Sequence, residues 1–307
     1  ALLALLVPVA HAAPEWRWVQ NGIPSVELAG PHGPVARFLI DPAPADPHFD
    51  LLATPDGHNL VWVAPPDHPW HYGLWFSWKT INGVNFWETN RETGQSKGRT
   101  EVLEPEIRFV NDEARVTYRR LYRLPDNDDP IMRDETTIVI REPKAGLGPQ
   151  VSWNVVTTAL TDLKLDRTPL PHEPGGKGHG GYAGFSWRGG ENFKDVRYLN
   201  SNGVAGMDGH RKHAKWMNAT GTIAGKPAGV AVLDHPDNPG HPMSWYLVDK
   251  MLKTGPFWYI NPAILQPKPI ELKAGETLTH RYRLLVHDGS LDAAALEKLA
   301  KAPPEED

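Results

Sequence analysis

The chain has 307 residues, with 32 Lys and Arg against 37 Asp and Glu, a formal charge of -5 at neutral pH. That balance excludes the basic footprint of a nucleic-acid-binding protein, and the absence of Cys excludes disulfide scaffolds, thiolate metal sites and thiol nucleophiles. With 28 Gly and 30 Pro the sequence is punctuated too often for long helices, and its 12 Trp outnumber its 8 Tyr and 8 Phe.

Residues 1–12 read as the remnant of a signal peptide. Ala1 to Ala10 is an uncharged apolar run, and Ala10-His11-Ala12 has the small-x-small pattern of a cleavage site. The run is shorter than the roughly 20 residues of a membrane-spanning helix. Gly, Pro or charge interrupts every later apolar run, so no membrane span is expected. The expectation is a secreted or periplasmic protein with one domain over residues 13–307.

Beyond this point, period-two patterns recur. Short strands are predicted at Trp16–Gln20, Val35–Ile40, Leu60–Val63, Leu74–Trp78, Thr136–Ile140, Val151–Ala159 and Val230–Leu233. In Ala114–Leu124, Val116, Tyr118, Tyr122 and Leu124 share a face, with Arg120 as the exception among them. In Thr277–Val286, Leu278, Tyr282, Leu284 and Val286 share a face with His280. Turn formers such as Asn21-Gly22, Asp56-Gly57 and Asn82-Gly83 separate these runs. The convincing helix is 291–302, with Ser290 as N-cap and Pro303 as stop. Many strands without intervening helices predict an all-β protein, a large antiparallel β-sandwich with one C-terminal helix.

Three segments concentrate groups that can do chemistry. In Pro65–Glu88, His68 and His71 sit on a proline-flanked turn that feeds a strand carrying Trp75 and Trp78. Pro69 excludes the helical form of a His-x-x-His metal pair. A hairpin at Asn82-Gly83 would return Glu88 toward the two His, an acid/base constellation. In Pro171–Arg188, a glycine-rich loop carries His172, Glu173, His179 and Tyr182 before Trp187-Arg188. In Leu233–Trp245, Asp234-His235-Pro236 repeats Asp67-His68-Pro69 and adds Asn238 and His241. For each isolated His, a hydrogen-bonded turn residue is the plainer reading, and core packing must account for most of the Trp. No segment has diagnostic metal spacing, so no cofactor is expected. The alternative is a divalent ion on imidazoles and a carboxylate drawn from His68, His71, Glu88, His235 and His241.

The Pro65–Glu88 run, the Gly-Gly-Tyr-x-Gly-x-x-x-Arg at Gly180–Arg188 and the run Val230–Leu247 together resemble an exported bacterial family of unknown function labelled methane oxygenase PmoA-like. The resemblance covers nearly the whole mature chain. It implies a large β-sandwich found among carbohydrate-degrading systems, with His68, His71, Asp234, His235 and His241 at signature positions. This sequence departs from that family's commoner His-Pro-His-His-Arg-Gly pattern at Trp70 and Tyr72.

These readings combine into a carbohydrate-active enzyme on a supersandwich like that of galactose mutarotase, taking a small sugar as its partner. His71 and His235 are the expected acid/base pair, with His68, Glu88, His179 and Asp234 assisting. Trp70, Trp75, Tyr182, Arg188, His241 and Trp245 are expected to bind substrate, with Trp87 and Trp216 as further platform candidates. Epimerase, lyase and hydrolase chemistry stay open, as does oligomeric state. The alternative is a non-catalytic carbohydrate-binding protein with the same Trp platform. All three segments are expected to converge on one pocket at one end of the sandwich.

Overall fold

A computed structural model describes residues 16–301 apart from 21–23, 43–44, 145 and 290. The leader-like residues 1–12, the Asn21-Gly22 turn and the Ser290 cap lie outside the described residues. Two antiparallel sheets of eight strands pack face to face, with a smaller four-stranded sheet beside them. The first sheet runs, in spatial order, through Arg17–Val19, Ser25–Gly30, Gly33–Leu39, His48–Leu52, Leu74–Ser77, Gly184–Arg188, Gly255–Pro262 and Trp245–Leu252. The second runs through Lys194–Asn200, Trp216–Ile223, Lys226–Asp234, Thr277–His287, Leu147–Ala159, Met132–Arg141, Glu113–Arg123 and Arg99–Val110. The small sheet joins Ile270–Leu272, Leu163–Asp166, Thr80–Ile81 and Val84–Asn85. The fold is thus the all-β sandwich that the alternation predicts.

One predicted strand is different. Leu60–Val63 makes only isolated bridges, Val61 to Gly189 and Val63 to Tyr72, because it runs into the Pro65-Pro66 turn. The C-terminal helix spans Ala293–Lys301. Its cap is Asp292, whose Oδ1 accepts from the Ala295 N–H at 2.7 Å.

Between the sheets, inward residues of both form one apolar core, among them Phe38, Leu74, Phe76, Trp153, Phe185, Trp187, Trp245 and Ile260. The Arg120 exception has a physical cause. Its guanidinium is buried in this core, donating to Asp46 at 2.9 Å and to the Phe76 carbonyl at 3.1 Å, with Asp134 at 3.4 Å. Tyr122 and Thr157 donate their hydroxyls to Asp134, so the buried charges are paired and solvated by protein groups. His280 is also inward and buried, and neither ring nitrogen has a hydrogen-bond partner among the described residues. Burial pushes its pKa down to about 3.

The outer faces of the two sheets differ. On the second, Leu296 of the helix covers Trp216, Ala231, Leu233 and Leu285. On the first, alternation turns Trp75, Tyr246, Val248 and Tyr259 outward, where they pack with Tyr72 and Trp87 as a separate aromatic cluster.

Candidate functional site

The aromatic cluster on the outer face of the first sheet is the floor of the candidate site. The Pro65–Tyr72 segment reaches it through two successive turns, closed by His68 N–H to Pro65 O and His71 N–H to His68 O, both 3.0 Å. Gly73 then enters the strand at φ +71, where a Cβ would lie 2.4 Å from the Phe49 carbonyl, so only glycine fits. This backbone sets His71 into the aromatic cluster. Its ring is buried between those of His68 and Tyr259, at 4.6 and 5.2 Å between centroids. Burial, then the neighbouring cations, hold its pKa well below the ordinary imidazole value.

His68 is in a different position. Its side chain is 31% exposed, and Nδ1 lies 2.6 Å from Asp67 Oδ2. A carboxylate there fixes the proton on Nδ1 and leaves Nε2 as the free acceptor. Asp67 Oδ1 in turn accepts from Arg188 Nη2 at 2.9 Å. Arg188 is fully buried, its guanidinium 4.0 Å from the Phe257 ring centroid and donating also to the Pro256 carbonyl. Burial lowers its pKa to about 10 without discharging it at neutral pH. Arg188 therefore positions Asp67 rather than binding substrate oxygens, a correction to the sequence expectation. For His68, burial outweighs the Asp67 carboxylate and sets the pKa below its ordinary value.

Glu88 arrives as the hairpin predicts. Asn82 and Gly83, at φ +49 and +81, form the turn between Thr80–Ile81 and Val84–Asn85. Glu88 then contacts the ammonium of Lys79 and the amide of Asn85. Lys79 is buried, 3.3 Å from the Tyr182 hydroxyl and 5.0 Å from that ring's centroid. Burial pulls Lys79 down to about 7, and the Glu88 carboxylate works in the opposite direction by favouring the charged form.

The glycine-rich loop closes another side. Glu173 ties it to Arg167 Nη2 at 2.8 Å and to the Leu170 N–H at 2.6 Å. Arg211 Nη2 donates to the carbonyls of Gly178 and Gly180. Between those two carbonyls His179 is exposed, close enough to His68 to lower its pKa. Burial, Lys79 and Lys177 lower His179 itself. Tyr182 and Trp70 are half-buried at the floor. Trp75 and Trp87 are buried beneath them.

The third segment lies elsewhere. Asp234 is buried and binds His241 Nδ1 at 2.6 Å, Asn238 Nδ2 at 2.8 Å and the Met243 N–H at 2.9 Å. His235 turns to the outer face of the second sheet, beside Leu233, Arg281 and Arg283. Stacked sheets are about 10 Å apart, so the sandwich stands between His235 and His71, and the one-pocket expectation fails for this segment. Trp245 is fully buried in the inter-sheet core and donates to the Ala214 carbonyl, and Trp216 donates to Glu297 under the helix. Neither indole faces a cleft.

Sequence reasoning missed Asp67, Lys79, Tyr246, Phe257 and Tyr259. Lys79 left a signal, a cation directly after the apolar run Leu74–Trp78. Asp67 left one too, the repeated Asp-His-Pro triplet, whereas Tyr246, Phe257 and Tyr259 left none, because they belong to strands with apolar residues on both faces.

Chemically, the site joins an aromatic cluster to two imidazoles and an ammonium. Both carboxylates, Asp67 and Glu88, already face cations. The molecule is a two-sheet β-sandwich with an aromatic cluster, edged by polar side chains, on the outer face of one sheet. The chain belongs to a family described as "Family of unknown function (DUF6807)", whose model matches residues 26–301; the unknown-function part of the expected resemblance holds, and nothing in this match supports the PmoA-like label. No curated protein matches the chain. Among solved structures, it is similar to a galactose mutarotase related enzyme from Lactobacillus acidophilus, at 11% identity, covering 89% of this chain and 97% of that one, TM-score 0.40. It is also similar to a heparan sulfate lyase mutant from Pedobacter heparinus, at 11% identity, 87% of this chain, 34% of that one and TM-score 0.39. A third is an α-galactosidase from Geobacillus stearothermophilus, at 8% identity, 89% and 41% coverage and TM-score 0.43. The chain thus spans about a third and two fifths of the latter two. The sandwich assignment rests on strand order and on the core between the sheets. Among the described residues, no helix is long and apolar enough to cross a membrane.

Proposed function

We propose that the outer-face aromatic cluster and the polar side chains around it form the active-site cleft of an exported carbohydrate-active enzyme that moves protons on a sugar. The single observation that carries this reading is the chain Arg188–Asp67–His68, in which a buried guanidinium fixes a carboxylate that fixes an imidazole. Such a chain fixes the tautomer of His68 and leaves Nε2 as its proton acceptor, on a ring that packs beside Trp70 and Phe257. Trp70, Tyr182 and Phe257, the half-buried aromatics of the cluster, offer ring faces on which the C–H face of a sugar stacks. His179 and Lys79 are the proton donors within the cleft, and His71 supports the His68 ring from below.

This assignment places the acid/base roles on His68 and His179 in preference to the expected His71 and His235. Two-carboxylate glycoside hydrolysis needs one free carboxylic acid and one free carboxylate, whereas Asp67 and Glu88 are both held by cations. Epimerisation and lyase-type elimination, which use a base and an acid of other kinds, fit the cleft better.

The test is a panel of aldoses, ketoses and glycosides, assayed with wild-type protein and with His68→Ala, with and without chelator. Turnover of a panel member that His68→Ala abolishes supports the proposal. Stoichiometric binding with no turnover of any member identifies a carbohydrate-binding protein instead.

A further inference from the structure

We propose that the natural ligand of this cleft is an anionic saccharide, one whose carboxylate or sulfate group is held by a rim of unpaired cations. The inference rests on the reading of the cleft as a sugar site and specifies which sugars enter it.

The argument is a charge inventory. Arg91 stands over Trp70, its guanidinium carbon 5.9 Å from the ring centroid. Lys177 sits two residues before His179 on the glycine-rich loop and acts on that imidazole. Arg211 spends one nitrogen on the carbonyls of Gly178 and Gly180 and lies close enough to Tyr246 and His210 to act on both. Lys250 also acts on His210, whose ring is 4.9 Å from that of Tyr246. None of these four cations forms an ion pair among the described residues.

The nearby acids do not compensate them. Asp67 is taken by Arg188 and His68, Glu88 by Lys79 and Asn85, and Asp46, beneath Tyr72, by Arg120. Asp249 alternates away from the cleft and acts on Tyr198. A chain of net charge -5 therefore presents local positive charge around one aromatic floor. Charge of one sign lining a low-dielectric cleft focuses the field and draws the opposite charge in. A guanidinium lying over an indole offers a planar fork that matches a carboxylate or sulfate. A neutral hexose would stack on the same floor and leave the rim unused.

The experiment measures binding of three oligosaccharides of equal length to the full chain by calorimetry: an oligogalacturonate, a sulfated galactan and a neutral galactan. Each is repeated at higher salt and with Arg91→Ala/Lys177→Ala. We expect one anionic arm to bind about tenfold more tightly than the neutral arm, and the tighter arm to identify the group recognised. The difference shrinks as salt screens the rim, and the double substitution lowers anionic affinity by about 3- to 10-fold while leaving neutral affinity unchanged. Equal or tighter binding of the neutral arm, a difference insensitive to both salt and substitution, or binding of none of the three overturns the inference. The proposed activity fails separately: a bound anionic sugar that is never turned over removes the enzyme reading and leaves this one standing. His68-dependent turnover of a neutral sugar does the reverse.

Discussion

The rings of His68 and His71 lie nearly face to face, with centroids 4.6 Å apart and planes 25° apart, yet only His68 has a carboxylate partner. Two stacked imidazoles cannot both carry a proton cheaply, and the Asp67 contact decides which of them is oriented for proton transfer. His71, with its Nδ1 buried and unpartnered among the described residues, stays neutral and serves as packing.

Substitution at His68 or Asp67 should therefore act on rate more than on fold. His68→Ala and Asp67→Asn are each expected to lower kcat by about 10²- to 10⁴-fold, with a near-native thermal melt for His68→Ala. Burial lowers the His68 pKa below 6.5, so the base is lost only when pH falls below the ordinary imidazole range. The acid limb of the pH–rate profile should lie below 6.5. A limb at or above it assigns the base elsewhere.

Arg188 should behave in the opposite way. Arg188→Leu leaves Asp67 without its buried cation, which typically costs about 3–5 kcal/mol. Arg188→Leu combined with Asp67→Asn removes both charges and should recover much of that loss. Urea denaturation of the single and double variants measures the coupling, and additive losses would show that the pair does not interact.

Stability should fall in acid. Both His71 and His280 have folded-state pKa values below the unfolded 6.5. The unfolded chain therefore binds more protons as pH drops below 6.5, and stability decreases from there. His280→Leu should flatten that decline. It also removes two unpartnered ring nitrogens from the core, each a desolvation cost of about 1–3 kcal/mol, so it should be neutral or stabilising at pH 7. Melting temperatures from pH 4 to 8 check both points.

Chelation should leave the melting curve unchanged. Among the described residues no three His, Asp or Glu side chains are grouped to hold a metal ion, the stacked rings of His68 and His71 do not aim lone pairs at a common point, and His235 is across the sandwich. Elemental analysis showing a stoichiometric divalent ion, with a lower melting temperature after its removal, would contradict this.

The legibility of the sequence follows from how many faces of a strand are buried. Glu113–Arg123 alternates between half-exposed and buried along its whole length, so its pattern, including Arg120, could be read directly. Arg99–Val110 is a sheet edge, exposed along most of its length with Val102 and Ile107 half-buried against the core, and bulged between Leu103 and Glu106, so no regular periodicity marks it. Gly255–Pro262 fails in the opposite way, since core residues and cleft aromatics alternate and both are apolar. The Asp-His-Pro pair shows the limit of motif reading. Asp67 binds the adjacent His68, whereas Asp234 reaches seven residues on to His241. Identical triplets take different roles because Asp67 also answers to a buried arginine, and Asp234 to an asparagine and a backbone amide.

The clamp of Arg211 on the glycine-rich loop has a consequence for divergence. It grips carbonyl oxygens, which every amino acid carries, so it makes no demand on side-chain identity at the tip. Gly180 is constrained by the Pro169 carbonyl, which a Cβ would meet at 2.0 Å, but Gly178 has open space around it. Residues 177 and 178 can therefore be rewritten, in nature or by design, while the loop, with His179, stays anchored over the same floor. Relatives with this clamp can change what they recognise without rebuilding the scaffold that presents it.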